Sequence, residues 1–116
     1  MKKILIVDDE PRIRDAFEML CGFDYDVKSA SNGSEALECL KTSAPDLVIL
    51  DWRLNSEVEG KDVLAHIKEN LPDLPVFVVT ASVHFLDEIK ALRPNKCFLK
   101  PCADLKEKID AFLSEK

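Results

Sequence analysis

The chain has 116 residues, of which 47% are hydrophobic and 33% are charged. These fractions are near the average for a folded globular domain, so they exclude a disordered chain. Acidic residues outnumber basic ones by 22 to 16, giving a formal net charge of -6. A surface that binds nucleic acid or an anionic membrane would carry the opposite charge, so we expect neither partner.

The sequence also predicts a cytoplasmic location. The basic start, Met1-Lys2-Lys3, leads into an apolar run that is too short for a signal peptide. No stretch approaches the roughly 20 apolar residues needed to cross a bilayer. The four cysteines form no Cys-x-x-Cys pair, and we expect them to be reduced. The start fits a native N-terminus, whereas Ser114-Glu115-Lys116 fits either a natural end or a cut at a linker.

Five short apolar runs alternate with amphipathic segments along the chain. The first, third and fourth runs are continuous and rich in Ile, Leu and Val, which is typical of strands buried on both faces of a parallel sheet. The predicted strands are residues 3–7, 27–30, 47–50, 76–79 and 97–99.

The five other segments have helical periodicity. The first has Pro11 near its start and Gly22 at its end, and Asn32 and Glu35 predict a capped start for the second. The third and fourth each end before a proline. Their apolar stripes are Ile13, Ala16, Phe17 and Leu20; Ala36, Leu37 and Leu40; Val63, Leu64, Ile67 and Leu71; Phe85, Ile89 and Leu92; and Leu105, Ile109, Phe112 and Leu113.

This alternation predicts a single α/β domain over residues 1–116. We expect a doubly wound, five-stranded parallel sheet with five helices on its two faces. The common strand order for such a sheet is 2-1-3-4-5, with its switch point between strands 1 and 3. Ligands of these sheets bind beyond the carboxyl ends of the strands at that point, and we expect the chemistry there.

Carboxylates follow both strands that flank this switch point. Asp8 and Asp9 come after strand 1, and Asp51 comes after strand 3. Crowded carboxylates repel one another unless a cation lies among them. Mg²⁺ is a hard cation that prefers oxygen ligands and accepts phosphate oxygens beside one or two carboxylates. Strand ends also carry aspartates as solvated residues or helix caps, but the placement on neighbouring strands favours a metal site.

A hydroxyl group and an ammonium group end two further strands. Thr80 ends strand 4, and Lys100 ends strand 5, ahead of Pro101. Together with a bound cation, these groups could hold the oxygens of a phosphoryl group. Each alone is more often an ordinary strand residue or a surface charge. Their joint placement at one edge of the sheet favours a phosphoryl site.

Four segments carry a resemblance to a known family. ILIVDDE, DLVILDWRL, VFVVTAS and CFLKP resemble, in this order, the sequence blocks of response-regulator receiver domains over essentially the whole chain. The resemblance implies a flavodoxin-like fold with Asp51 as the phospho-acceptor. It also implies that Mg²⁺ is bound by Asp9, Asp51 and the backbone carbonyl of Arg53, with Asp8 acting largely through a water.

The resemblance further implies a phosphorylation-dependent switch in a two-component phosphorelay. Thr80 and Lys100 would contact the phosphoryl oxygens, and the donor would be a histidine kinase or a histidine phosphotransfer protein. The domain would catalyse only its own phosphorylation and dephosphorylation, so we do not expect an enzyme acting on a metabolite. A downstream protein would bind the face formed by helix 4, strand 5 and helix 5, where Val83, Phe85, Lys96 and Cys97 are candidates.

Several positions depart from the family pattern. Cys97 stands where the family usually has an aromatic residue that turns inward when the threonine moves, and we expect Phe98 to pack in the core instead. We expect Cys97 to lie on the helix 4 side. Asn55 replaces a common proline, and Gly60 lies one position late, so the loop after strand 3 has an extra residue. Pro94-Asn95 replaces a Gly-Ala pair, which predicts a short helix 4.

Three side chains beside the key residues also lead to expectations. Trp52 follows the acceptor, and we expect it to pack under the loop; alternatively, its fluorescence would report on metal binding. Arg53 and Ser82 each lie two residues past a key position, where side chains tune the access of water to the phosphoryl group.

Three other protein classes compete with this interpretation. A phosphatase of the haloacid dehalogenase type needs a second aspartate two residues after the nucleophile, where this chain has Arg53. A flavodoxin-like cofactor binder needs a Gly/Ser/Thr-rich phosphate loop, but Asp8-Asp9-Glu10-Pro11 follows strand 1. A degenerate receiver would be a phosphorylation-independent interaction module, and the change at Cys97 keeps this alternative open.

Overall fold

The computed structural model describes residues 1–114 and has the predicted alternation of strands and helices. The strands are β1 Lys3–Val7, β2 Asp26–Ala30, β3 Leu47–Asp51, β4 Val76–Thr80 and β5 Lys96–Leu99, and the helices are α1 Pro11–Cys21, α2 Gly33–Thr42, α3 Gly60–Asn70, α4 Leu86–Ala91 and α5 Leu105–Ser114. A 3₁₀ turn, Val83–Phe85, leads into α4. The sequence predicts either a natural end or a cut at a linker at the C-terminus. This prediction includes residues 115 and 116, which lie outside the described residues.

The sheet has the predicted topology. Its five strands are parallel, in the order β2-β1-β3-β4-β5. In the register, Val7 lies beside Leu50, Asp51 beside Val79, and Thr80 beside Leu99. The carboxyl ends of four strands are therefore level at one edge. Within residues 1–114, no helix combines the length and apolar character that a membrane crossing requires.

The sheet separates two hydrophobic clusters. Along β1, Leu5 and Val7 pack on the side of α2, α3 and α4, whereas Ile4 and Ile6 pack on the side of α1 and α5. Successive strand residues point to opposite faces. Because helices cover both faces, β1, β3 and β4 need apolar residues on both sides of the strand, and polar residues occur only at their ends. This explains why these strands are continuous apolar runs in the sequence.

Helix α1 buries a narrower stripe than its sequence pattern suggests. Phe17 and Cys21, four residues apart, are its buried residues. Ile13 and Leu20 of the predicted stripe are 37% and 55% exposed. Side chains spaced by four residues share one helix face. The helix therefore faces the sheet with Phe17 and Cys21, whereas Ile13 and Leu20 lie beside this buried face and are partly exposed.

The expectations for the fifth strand and the fourth helix are confirmed. Phe98 packs against the α1–α5 cluster, with its ring centroid 5.5 Å from that of Phe77 in an edge-to-face arrangement. Cys97 packs against the opposite cluster, which includes Ile89 of α4. Helix α4 has only six residues. Leu92, the last member of its predicted stripe, lies beyond the helix as the C-cap residue.

The start of α2 packs tightly against the loop that follows β3. The Asn32 side chain accepts a hydrogen bond from the Glu35 N–H at 2.8 Å, as its capping position predicts. The Glu35 carboxylate accepts from Ser31 rather than from Asn32, so the full reciprocal box is not formed. A Cβ atom on Gly33 would overlap the backbone carbonyl oxygen of Val58. Glycine is therefore required at this contact.

We expect Gly33→Ala to lower the free energy of unfolding by about 1 to 3 kcal/mol, because the overlapping atom belongs to the backbone and cannot rotate away. Ser34→Ala, at the exposed next position of the same helix, should change it by less than about 0.5 kcal/mol. Urea denaturation measures both values. Equal stability of the two variants would show that the loop does not pack this closely on α2.

Candidate functional site

Three carboxylates meet at the carboxyl ends of β1 and β3. One oxygen atom from each of Asp8, Asp9 and Asp51 lies within 4.8 Å of the others. Asp8 and Asp51 are only 1% and 8% exposed, and Asp9 is partly buried. The two strands are neighbours in the sheet, which explains why residues more than forty positions apart share one pocket. The cluster therefore lies at the switch point, where the sequence predicts it.

Lys100 reaches this cluster from the end of β5. Its Nζ atom lies 2.8 Å from Asp8 Oδ2 and 3.3 Å from Asp51 Oδ2. Its backbone N–H donates to the Thr80 carbonyl at 2.8 Å, which fixes the chain where it leaves the sheet. Burial acts to lower the pKa of Lys100, but its hydrogen bonds to the two carboxylates and their charges outweigh burial and raise it. Lys100 is therefore held as a cation.

The cluster carries more negative charge than this ammonium group balances. Burial and the nearby charge of Asp8 raise the pKa of Asp51 to about 6, despite the opposing effect of Lys100. Asp9 adds a smaller contribution in the same direction. A carboxylate donor set with a deficit of positive charge suits a hard divalent cation. The residues present therefore fit Mg²⁺.

Thr80 completes the predicted set. It is buried at the end of β4, and its Oγ1 accepts a hydrogen bond from the Ser82 N–H at 3.3 Å. An open cavity of about 620 Å³ lies above the strand ends, and its lining includes Asp9, Asp51, Arg53, Thr80 and Lys100.

A second cavity, of about 470 Å³, adjoins the cluster on the α1–α5 side. Asp8, Asp51 and Lys100 line it together with apolar residues such as Ile13 and Leu105. The structure therefore brings together every side chain that the sequence predicts at the site.

Trp52 and Gly60 lie against the backbone at Asp51. Trp52 is buried in the cluster beneath α2, α3 and α4, which confirms that it packs under the loop. A Cβ atom on Gly60 would lie 2.6 Å from the Asp51 carbonyl oxygen and 2.8 Å from the Trp52 Cα atom. Helix α3 can therefore begin directly against the backbone of Asp51 only because its first residue is glycine.

The loop after β3 makes contacts that sequence reasoning missed. Asn55 Nδ2 donates a hydrogen bond to Asp9 Oδ2 at 2.9 Å. Asn55 has a φ of 53°, a left-handed conformation that asparagine tolerates better than most residues. Glu59 accepts a hydrogen bond from the Leu54 N–H at 2.6 Å and forms a capping box with Asp62. The extra loop residue is the sequence signal that this segment differs, but it does not indicate these partners.

Sequence and structure comparisons agree on one class of protein. A parallel sheet in this order, with an acidic cluster and a lysine at its carboxyl edge, defines the receiver domains. The family described as "Response regulator receiver domain" matches residues 4–110. The chain belongs to this family, as the resemblance of its motifs predicts.

Individual relatives include longer regulators. The chain is 39% identical over 93 residues to the response regulator protein PilR of Pseudomonas aeruginosa, a match covering 79% of this chain and 21% of PilR. It is 36% identical over 92 residues to the alkaline phosphatase synthesis transcriptional regulatory protein PhoP of Bacillus subtilis, covering 78% of this chain and 38% of PhoP. The chain therefore matches about a fifth to two fifths of the length of these relatives.

Solved structures share the fold over nearly the whole chain. The response regulator protein TrrA from Thermotoga maritima, solved in complex with Mg²⁺ and BeF, has a TM-score of 0.86 and 32% identity, covering 96% of this chain and 98% of that one. A CheY-like receiver domain protein from Methanospirillum hungatei has a TM-score of 0.90 and 28% identity, covering 99% and 95%.

The raised pKa of Asp51 leads to a prediction about stability. Its pKa rises from 3.8 to about 6 on folding, so the folded state favours the protonated carboxyl. The stability that protonation contributes is present at low pH and is lost as the pH rises through about 6. In chelator at neutral pH, Asp51→Asn should therefore be more stable than the natural chain, by on the order of 3 kcal/mol at most.

Urea denaturation between pH 4 and neutral pH checks this expectation, with Asp73→Asn at an exposed turn as the control. The advantage of Asp51→Asn should shrink as the pH falls, because the natural carboxyl becomes protonated too. A variant that is less stable than the natural chain at every pH would show that the pocket is not crowded with negative charge.

Proposed function

We propose that this chain is a phosphorylation-dependent switch of a two-component phosphorelay, which accepts a phosphoryl group on Asp51 in the presence of Mg²⁺. The position of Asp51 carries the proposal. Its carboxylate is almost fully buried, yet it lines the open cavity and lies 3.3 Å from the Lys100 ammonium group. A carboxylate in this position can be reached by a donor from outside while the protein holds a cation beside it.

The Asp51 carboxylate acts as the nucleophile. We infer that it attacks the phosphorus of a phosphohistidine on a histidine kinase or a histidine phosphotransfer protein. The O–P bond to Asp51 forms, the N–P bond breaks, and the imidazole leaves with the electron pair. In a separate dephosphorylation step, water attacks the phosphorus in line, the O–P bond to Asp51 breaks, and the Asp51 carboxylate leaves as inorganic phosphate is released. The domain thereby catalyses only its own modification and is not an enzyme acting on a metabolite.

Positioning and charge supply most of the catalysis in such transfers. Lys100 already lies within ion-pair distance of Asp51, so it can donate to a phosphoryl oxygen without a large movement. The Thr80 hydroxyl, now an acceptor for the Ser82 N–H, can rotate to donate to another oxygen. Asp9, Asp51 and the backbone carbonyl of Arg53 would hold Mg²⁺, with Asp8 acting largely through a water, and the bound ion would supply positive charge to the transferring group.

The face beside the site suggests which surface presents the phosphorylation state to a partner. On the face formed by α4, β5 and α5, Val83 and Lys96 are exposed, whereas Cys97 and Phe85 pack against the core. We infer that a downstream protein binds the exposed part of this face. The net charge of -6 supports a domain that binds no nucleic acid directly. We infer a cytoplasmic location from its membership of the response-regulator receiver family.

Treatment with acetyl phosphate or with beryllofluoride, each with Mg²⁺, tests the proposal. The natural chain should gain the mass of one phosphoryl group with the first reagent and change its Trp52 fluorescence with the second. Asp51→Ala should do neither, because it lacks the nucleophile. Asp73→Ala, an exposed control, should behave as the natural chain does. If the natural chain gives neither response, the degenerate, phosphorylation-independent receiver is the correct class.

A further inference from the structure

A second cation, Arg53, lies at the edge of the cavity that contains Asp51. The guanidinium carbon of Arg53 lies over the ring of Phe85, 5.5 Å from its centroid. Arg53 belongs to the loop that follows β3, and Phe85 ends the 3₁₀ turn between β4 and α4. Both side chains line the cavity that contains Asp51. Their contact therefore joins the loop beside the acceptor to the segment that leads into α4.

The two cations of this cavity differ in how they are engaged. Lys100 already pairs with Asp8 and Asp51. Within residues 1–114, Arg53 forms no ion pair, and its side chain is exposed apart from the ring contact. A phosphoryl group on Asp51 would add up to two negative charges near it. A planar guanidinium binds phosphoryl oxygens through paired, charge-assisted hydrogen bonds, which are stronger than an exposed contact with an aromatic ring.

The segment around Phe85 is weakly anchored. Helix α4 has six residues, of which only Ile89 is buried. Phe85 is partly buried against the same cluster, and the adjacent Val83 is 62% exposed. Cys97, beneath this segment, is too small to act as a moving aromatic wedge. Besides this apolar packing, the described contacts that tie the segment to the site are the Arg53–Phe85 contact and the hydrogen bond from the Ser82 N–H to Thr80.

We propose that Arg53 is a second phosphoryl-binding cation that Phe85 holds aside in the unphosphorylated protein, and that its transfer from the ring to the phosphoryl group releases residues 83–91. This inference rests on the proposed function of Asp51. It gives the signal a route from the acceptor to α4 that does not require an aromatic residue at Cys97. It also assigns opposite effects to the two partners: Arg53 binds the phosphoryl group, whereas Phe85 competes for Arg53.

These opposite effects can be measured by titrating the full chain with beryllofluoride in the presence of Mg²⁺. The fluorescence of Trp52 monitors the binding. Arg53→Gln should bind beryllofluoride about five- to tenfold more weakly, because it loses a charge-assisted hydrogen bond. Phe85→Leu should bind it about two- to fivefold more tightly, because Arg53 no longer has to leave the ring. Phe85→Tyr keeps the ring and should restore the natural affinity. Arg12→Gln and Phe23→Leu, exposed positions outside the cavity, serve as matched controls.

Hydrogen exchange of residues 83–91, measured by mass spectrometry on the same samples, tests the release. In the natural chain, exchange should accelerate when beryllofluoride binds. In Arg53→Gln and Phe85→Leu it should be fast already without the ligand and change little on binding.

The outcomes separate this inference from the proposed function. If the natural chain binds beryllofluoride but exchange at residues 83–91 is unchanged, the inference fails and the proposed function stands. The inference also fails if both variants shift the affinity in the same direction. If the natural chain does not bind beryllofluoride, the proposed function fails, and this inference fails with it.

Discussion

The ion pairs of Lys100 with Asp8 and Asp51 are the interaction on which the rest of the site depends. They bring the carboxyl ends of β1, β3 and β5 into one charged cluster across the switch point of the sheet. One ammonium group cannot balance three carboxylates, and burial together with the nearby charge of Asp8 raises the pKa of Asp51 despite the opposing effect of Lys100. The fold thus maintains a pocket that gains from additional positive charge, which supports the proposal that it holds a metal ion and then a phosphoryl group.

The loop that follows β3 supplies further polar and positively charged side chains near the carboxylate cluster. Asn55 donates to Asp9, the carboxylate that Lys100 does not reach, and so supplies a second partner to the cluster. Arg53 carries a positive charge at the rim without a carboxylate partner among the described residues. The tight start of α3 at Gly60 holds this loop against the backbone of Asp51. Under the proposed mechanism, a change of charge at Asp51 acts first on this loop and on the segment around Phe85 that Arg53 contacts.

The sequence predicts the centre of the sheet well because β1, β3 and β4 are buried on both faces. Every predicted strand agrees with the structure to within one residue, and the strand order is the common one for a doubly wound sheet of five strands. The site residues were predictable for the same reason, since each stands at the carboxyl end of a strand. The rotation of α1, which leaves Ile13 and Leu20 exposed, was not predictable because a periodic pattern does not fix how a helix is turned on its sheet. The partners of Asn55 and Arg53 depend on how separate loops meet in space.

A direct measurement of the Asp51 pKa tests the central claim, that uncompensated negative charge organises this edge of the molecule. Carbon-13 NMR of the aspartate carboxyl groups can follow the titration, with Asp51→Asn identifying the signal. The account predicts a pKa of about 6 in chelator and a clear decrease when Mg²⁺ is added. A pKa near the ordinary aspartate value in chelator, unchanged by Mg²⁺, would contradict it.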